Sequence, residues 1–96
     1  MPPIRYSRRF LRDVLRLYDF LAEKNPEVAS KAIQTILRSL KYLEQHPGIG
    51  RHTDGLPSAF KEWIIPFGRN AYVIRYHITE DAVVILTARH SREAGL

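Results

Sequence analysis

Apolar residues recur along this chain with two periods, first helical and then alternating. Phe10, Leu11, Val14, Leu17, Tyr18 and Leu21 return every three or four positions, which predicts an amphipathic helix from Arg8 to about Lys24. Ser7 stands where a side-chain oxygen would cap its first turn. Asn25-Pro26-Glu27 then restarts a helix: a capping Asn, a Pro at the first helical position and an acid at the positive helix end. This second helix is expected to run to about Gln45, with Val28, Ala29, Ala32, Ile33, Ile36, Leu37, Leu40 and Leu43 as its stripe. So short a break predicts an antiparallel helical hairpin. Leu11, Val14, Tyr18, Ile33, Ile36 and Leu40 are expected to bury against a sheet.

The sheet is predicted from alternation. Pro3-Ile4-Arg5-Tyr6 forms a short N-terminal strand. His46-Pro47-Gly48-Ile49-Gly50 ends the second helix, and the chain continues as a loop through Pro57. Strands follow near Phe60–Ile65, Tyr72–Ile78 and Val83–Arg89, the last two joined by a tight turn at Glu80-Asp81. Pairing Ile78 with Val83 would set Tyr72, Ile74, Tyr76, Ile78, Val83, Ile85 and Thr87 toward the helices. Val73, Arg75, His77, Val84, Leu86, Ala88 and His90 would then face the other way. A slip of one residue would swap the last strand's set. The fold class is therefore α+β: a short strand, then a helical hairpin packed on an antiparallel β-sheet. Its 96 residues are expected to form a single domain, 1–96.

Composition adds a bias in charge. Fifteen Lys and Arg against ten Asp and Glu give a net charge of +5, mostly from Arg. Arginine suits bidentate recognition of phosphate or carboxylate, so a nucleic acid, a protein that processes one, or an acidic protein are the partner classes. A solvated basic surface explains the same charge. The chain has no cysteine, which excludes disulfides, thiolate zinc sites and cysteine nucleophiles and fits a reducing cytosol. No apolar run is long enough to span a bilayer, and no signal-peptide core precedes the first charges.

Candidate chemistry lies near the C-terminus. His46, His52, His77 and His90 lack the spacing of metal ligands, so neither a metal nor a cofactor is expected. There is no Gly-rich phosphate loop. Arg75, His77, Arg89, His90 and Arg92 gather on the last two strands and just beyond. Such groups could serve a metal-free ribonuclease as acid, base and phosphorane-stabilising cations. They equally suit the solvated face of a half-exposed sheet. Trp63, the sole Trp, suits core packing or an anchor in a partner's groove. Arg8, Arg9, Arg12 and Arg16 form either a phosphate-binding ridge or a solvated helix face, partly compensated by Asp13 and Asp19.

Taken in order, several pieces resemble the ParE toxins of the ParE/RelE superfamily over nearly the whole chain. They are Arg8-Arg9-Phe10-Leu11-Arg12-Asp13 into Tyr18-Asp19-Phe20-Leu21, then Asn25-Pro26-Glu27-Val28-Ala29, and His46-Pro47-Gly48-Ile49-Gly50-Arg51. Lys61 to Phe67, Tyr72 to Tyr76, and Val84-Ile85-Leu86 into Arg89-His90-Ser91-Arg92-Glu93 complete the set. The resemblance implies a cytoplasmic bacterial toxin neutralised by a ParD-type antitoxin, whose C-terminal segment wraps it. It implies DNA gyrase as target, with no catalytic residue, no membrane, and nucleic acid met only through target or antitoxin. On that footing Phe10, Leu11, Val14, Leu15, Tyr18 and Trp63 are the antitoxin-binding candidates, and Arg75, Arg89, His90 and Arg92 the target-binding candidates. The alternative is a RelE-like ribosome-dependent messenger-RNA endoribonuclease. Against it, Ser91 follows His90, no Tyr lies beyond Tyr76, Tyr72 stands where an Arg would suit a nuclease, and Lys61 is the only Lys in the second half.

Overall fold

The computed structural model describes residues 3–93. In chain order the elements are β1 (Ile4–Tyr6), α1 (Arg8–Ala22), α2 (Pro26–Gln45), β2 (Arg51–His52), β3 (Phe60–Phe67), β4 (Asn70–Ile78) and β5 (Val83–His90). The strands form one sheet in the order β1-β5-β4-β3-β2. β1 runs parallel to β5, and the other pairs are antiparallel. The expected α+β architecture is present, with two additions: the sheet is mixed because β1 docks beside β5, and β2 forms in the segment read as loop. Two residues are too few to carry an alternation signal, so β2 had none to show.

Local chemistry sets the helix ends. The Ser7 Oγ accepts from the Phe10 N–H (2.9 Å) and donates to the Leu86 carbonyl (2.8 Å), so one side chain caps α1 and ties it to β5. α1 stops at Ala22, two residues short of the expected end, where the Lys24 and Asn25 N–H groups both turn back onto the Leu21 carbonyl. The Asn25 Oδ1 accepts from Glu27 and Val28 and opens α2 with Pro26 in its first turn.

The core lies between hairpin and sheet. α2 contributes Ala32, Ile36, Leu40 and Leu43, and the sheet contributes Ile65, Tyr72, Ile74, Tyr76, Val83, Ile85 and Ala88. Ile36 and Leu40 are buried as expected, while Ile33 and Val14 are half-buried. Leu11 and Tyr18 depart from expectation: they are 51% and 38% exposed. The buried face of α1 is instead Phe10, Asp13 and Leu17. The apolar arc of α1 is wider than the sheet can cover, and Asp13 sets which part turns inward.

Asp13 is held there by the free edge of β5. β1 pairs with β5 only from Val83 to Ile85, so the backbone beyond that point lacks a strand neighbour. The Asp13 Oδ2 accepts the Ala88 N–H (2.9 Å), and the Glu93 Oε1 accepts the His90 N–H (3.0 Å). Arg16 forms ion pairs with both carboxylates. Two acids and one guanidinium thus cover an edge whose buried donors would otherwise cost free energy.

A second correction concerns β5. Ile78 does pair with Val83, but the register shifts further on: Tyr76 faces Ile85, whereas Arg75 faces Thr87. Leu86 is the extra residue of a β-bulge. Past the bulge the two faces exchange. Ala88 and His90 turn toward the helices and Thr87 turns away, opposite to the unbroken alternation.

Candidate partner groove and basic sheet face

The part of α1 that the sheet leaves uncovered forms a cleft of about 330 Å³, lined by Tyr6, Phe10, Leu11, Val14, Leu15 and Leu37. Tyr6 stacks on Phe10 with ring centroids 5.6 Å apart, which builds one wall from β1. Leu15, 67% exposed, is the most open large apolar side chain among the described residues. A contiguous apolar surface of this kind marks an interaction site more often than a scattered exposed Leu does. Four of the six antitoxin-binding candidates, Phe10, Leu11, Val14 and Leu15, line this cleft. Tyr18 extends the same stripe one turn further along α1. Trp63 does not join them: it faces the core from β3, opposite Ile74, and stacks on Tyr42 at 6.0 Å. Tyr6 and Leu37 were not picked out as contacts from the sequence. One lay in the short strand and the other within the α2 stripe.

The opposite face of the sheet is open and basic. Arg51, Glu62, Arg75 and Thr87 stand side by side across four strands. The Arg75 Nη2 donates to one Glu62 oxygen (2.8 Å) and the Arg51 Nη2 reaches the other (3.5 Å). The hydrogen bond from Arg75 holds the Glu62 carboxyl below its ordinary range, against the opposing effect of burial. Arg89, opposite Val73, is a diagonal neighbour of Arg75 on the same face. His77 lies there too, its ring 5.0 Å from Phe60.

His90 is on the other side. It is 4% exposed, packed edge-on against Tyr72 (5.4 Å) and near Phe20 (6.2 Å). Its Nδ1 accepts the Arg92 N–H (3.1 Å). Burial first, and the Arg92 charge second, push its pKa down, which favours a neutral ring carrying its proton on Nε2. Ser91 fastens the same turn to β4: its N–H donates to the Ala71 carbonyl, and its Oγ accepts from the Ala71 N–H. The structure thus brings Arg75 and Arg89 together, leaves Arg92 exposed on the turn past β5 with its N–H on His90, and separates the His90 ring from Arg75 and Arg89 by the thickness of the sheet. The bulge that causes this separation has no signature in the alternation of residues 83–90.

Among the described residues, no three His, Asp or Glu side chains gather as metal ligands, and no helix is long and apolar enough to cross a membrane. The position of β2 rests on Tyr76. Its hydroxyl donates to the Pro47 carbonyl and accepts the Gly50 N–H, both at 2.8 Å. A Cβ on Gly50 would lie 2.5 Å from that hydroxyl, so the close approach needs glycine. Arg51 follows directly and is placed opposite Glu62 as a result.

Residues 4–95 match the family model described as the ParE toxin of the type II toxin–antitoxin system parDE. The chain belongs to the ParE toxin family. It is a type II toxin–antitoxin toxin of the wider ParE/RelE group. Among its relatives, Toxin RelE3 of Caulobacter vibrioides is 34% identical over 93 residues, 97% of this chain and 98% of that protein. Toxin RelE1 of the same organism is 33% identical over 87 residues, 91% of this chain and 90% of that one. A solved chain of the chromosomal ParDE TA system from P. aeruginosa shares the fold at a TM-score of 0.72, with 21% identity, covering 92% of this chain and 94% of that chain. For this ParE-family chain the two surfaces have different characters: an apolar cleft on the hairpin and an arginine-rich face on the sheet.

Proposed function

We propose that this toxin acts by binding DNA gyrase in the bacterial cytoplasm, without catalysis of its own, and that a ParD-type antitoxin neutralises it by occupying the hairpin cleft. In this reading residues 1–96 act as one domain. The placement of His90 carries the non-catalytic reading. The C-terminal histidine that would serve a ribonuclease as acid or base is buried beneath the helices, and its Nδ1 is engaged by the backbone. Arg75 and Arg89 on the open face, with Arg92 on the adjoining turn, are the target contacts. Paired hydrogen bonds from guanidinium suit acidic side chains or phosphates there. His90 supports these contacts indirectly, by fixing the turn that carries Arg92. The antitoxin contacts are Leu11, Val14, Leu15 and Tyr18, over a cleft floor formed by the buried Phe10, with Trp63 outside the set.

A second reading, a ribosome-dependent messenger-RNA nuclease, draws support from the printed names of the two Caulobacter relatives. It also has a histidine in reach, because His77 shares the open face with Arg75. Expression of the toxin without antitoxin separates the two. The gyrase reading predicts that DNA synthesis stops while translation continues at first. Translation stopping first, with DNA synthesis intact, contradicts it.

A further inference from the structure

Arg8, Arg9 and Arg12 on α1 are exposed and form no ion pair among the described residues. They crowd the first half of the helix, where free N–H groups already make the end positive, and no acid stands in the first turn. Arg8 and Arg12 are four residues apart, as are Arg12 and Arg16, so like charges stack on neighbouring turns. In isolation this arrangement works against the helix. A polyanion laid across it would turn each of these repulsions into an attraction.

The placement of α1 ties these cations to the open face of the sheet. α1 runs alongside β5, with Ser7 at Leu86, Asp13 at Ala88 and Phe20 near His90. Arg9, Arg12 and Arg16 recur at three and four residues, so they share the strip of α1 beside Asp13, which holds that edge. Arg16 is neutralised there by Asp13 and Glu93, which leaves Arg9 and Arg12 as the strip's unpaired cations. β1 covers β5 only as far as Ile85. Beyond that point Arg89 leaves the same edge strand toward the open face, and Arg92 is exposed on the turn that follows. Cations therefore flank the uncovered edge of β5 on both sides.

We infer that this band grips the phosphate backbone of duplex DNA, with Arg9 and Arg12 on one side of the β5 edge and Arg89 and Arg92 on the other. This rests on the reading of the open face as the target surface, and it names the DNA held by gyrase as what the band touches. The make-up of the band selects the ligand. A stable protein contact needs an apolar centre. Between Arg8 and Arg16 the apolar side chains turn instead to the core, as Phe10 does, or to the cleft, as Leu11 and Leu15 do. A single strand is held by bases stacked on aromatic rings, and this stretch of α1 exposes none. Repeated guanidinium groups without either feature suit the evenly charged backbone of a duplex.

The test titrates the full-length toxin into a short labelled DNA duplex across a salt series. Each phosphate contact contributes about 0.9 to the slope of log affinity against log salt. Arg9→Gln combined with Arg12→Gln is expected to weaken duplex binding about tenfold or more at low salt and to lower the slope by about two. Both positions are exposed and Gln suits a helix, so the variant should fold, with its thermal midpoint as the check. Arg38→Gln with Lys41→Gln removes the same charge from exposed positions on α2 and is expected to keep the parent's slope. Equal losses in the two variants would assign binding to net charge and overturn the inference. Unaltered duplex binding by the α1 variant, or tighter binding of a single-stranded RNA of equal length, would overturn it too. A second arm counts gyrase-dependent cleaved DNA, for which the α1 variant is expected to need about tenfold more toxin than the parent. Equal cleavage by the two overturns the inference and leaves the gyrase reading standing. No cleavage by the parent, with duplex binding still lost in the α1 variant, removes the gyrase reading and keeps the DNA contact.

Discussion

Glu62 and His90 tie the stability of this fold to pH in two separate windows. His90 is buried with its pKa pushed down, so the unfolded chain takes up the proton first. Stability therefore falls as pH drops below the ordinary histidine range, about 6.5. Glu62 acts in the same direction in a lower window. Its pKa is lowered by Arg75, so its stabilisation is present above the ordinary carboxylate range, about 4.3, and is lost as pH falls through the depressed folded value. His90→Asn, which retains an acceptor for the Arg92 N–H, should remove the upper limb. Glu62→Gln should flatten the lower one. Urea midpoints recorded across pH read both effects, and a His90→Asn profile superimposable on that of the parent contradicts the account of that site. Neither environment was legible in the sequence. Glu62 and Arg75 are thirteen residues apart and meet only through strand register. His90 faces the helices only because Leu86 is bulged.

At the scale of elements, the helices were the most legible part because each carries its own punctuation. Ser7, Asn25 and Pro26 mark starts by chemistry that acts within one turn. Strand limits depend on partners, and β1 ends where its partner continues. The exposed remainder of β5 is then completed by Asp13 and Glu93, an arrangement that no local pattern announces. Asp13 sat among apolar residues in α1 and was read only as partial compensation for nearby arginines. Its burial now makes a quantitative expectation. Asp13→Ala leaves the Ala88 N–H without an acceptor and Arg16 without one of its two carboxylates. The cost should be about 1–3 kcal/mol by urea denaturation, the usual penalty for an orphaned buried donor. A loss within about 0.5 kcal/mol, typical of neutral surface changes, would show that the edge is satisfied in another way.

For the molecule as a whole, the sheet separates two surfaces. The hairpin side presents apolar side chains that its own core does not use, and the open side presents arginines around a single bridging carboxylate. The family and the α+β architecture were legible from ordered motifs. Which side chains of α1 stay outside was not, because period alone gives a stripe and the sheet decides how much of it is covered. Separation of the surfaces allows the toxin to be held by one partner at the hairpin while its cationic face addresses another. The central claim is that this face acts on gyrase by contact. Purified toxin incubated with gyrase and supercoiled DNA tests it most directly, with cleaved DNA counted after the protein is denatured. The account predicts gyrase-dependent linear DNA with the parent toxin, its loss with Arg89→Ala combined with Arg92→Ala, and its retention with His90→Asn. Absence of such cleavage, together with ribosome-dependent cuts in messenger RNA by the same preparation, would contradict it.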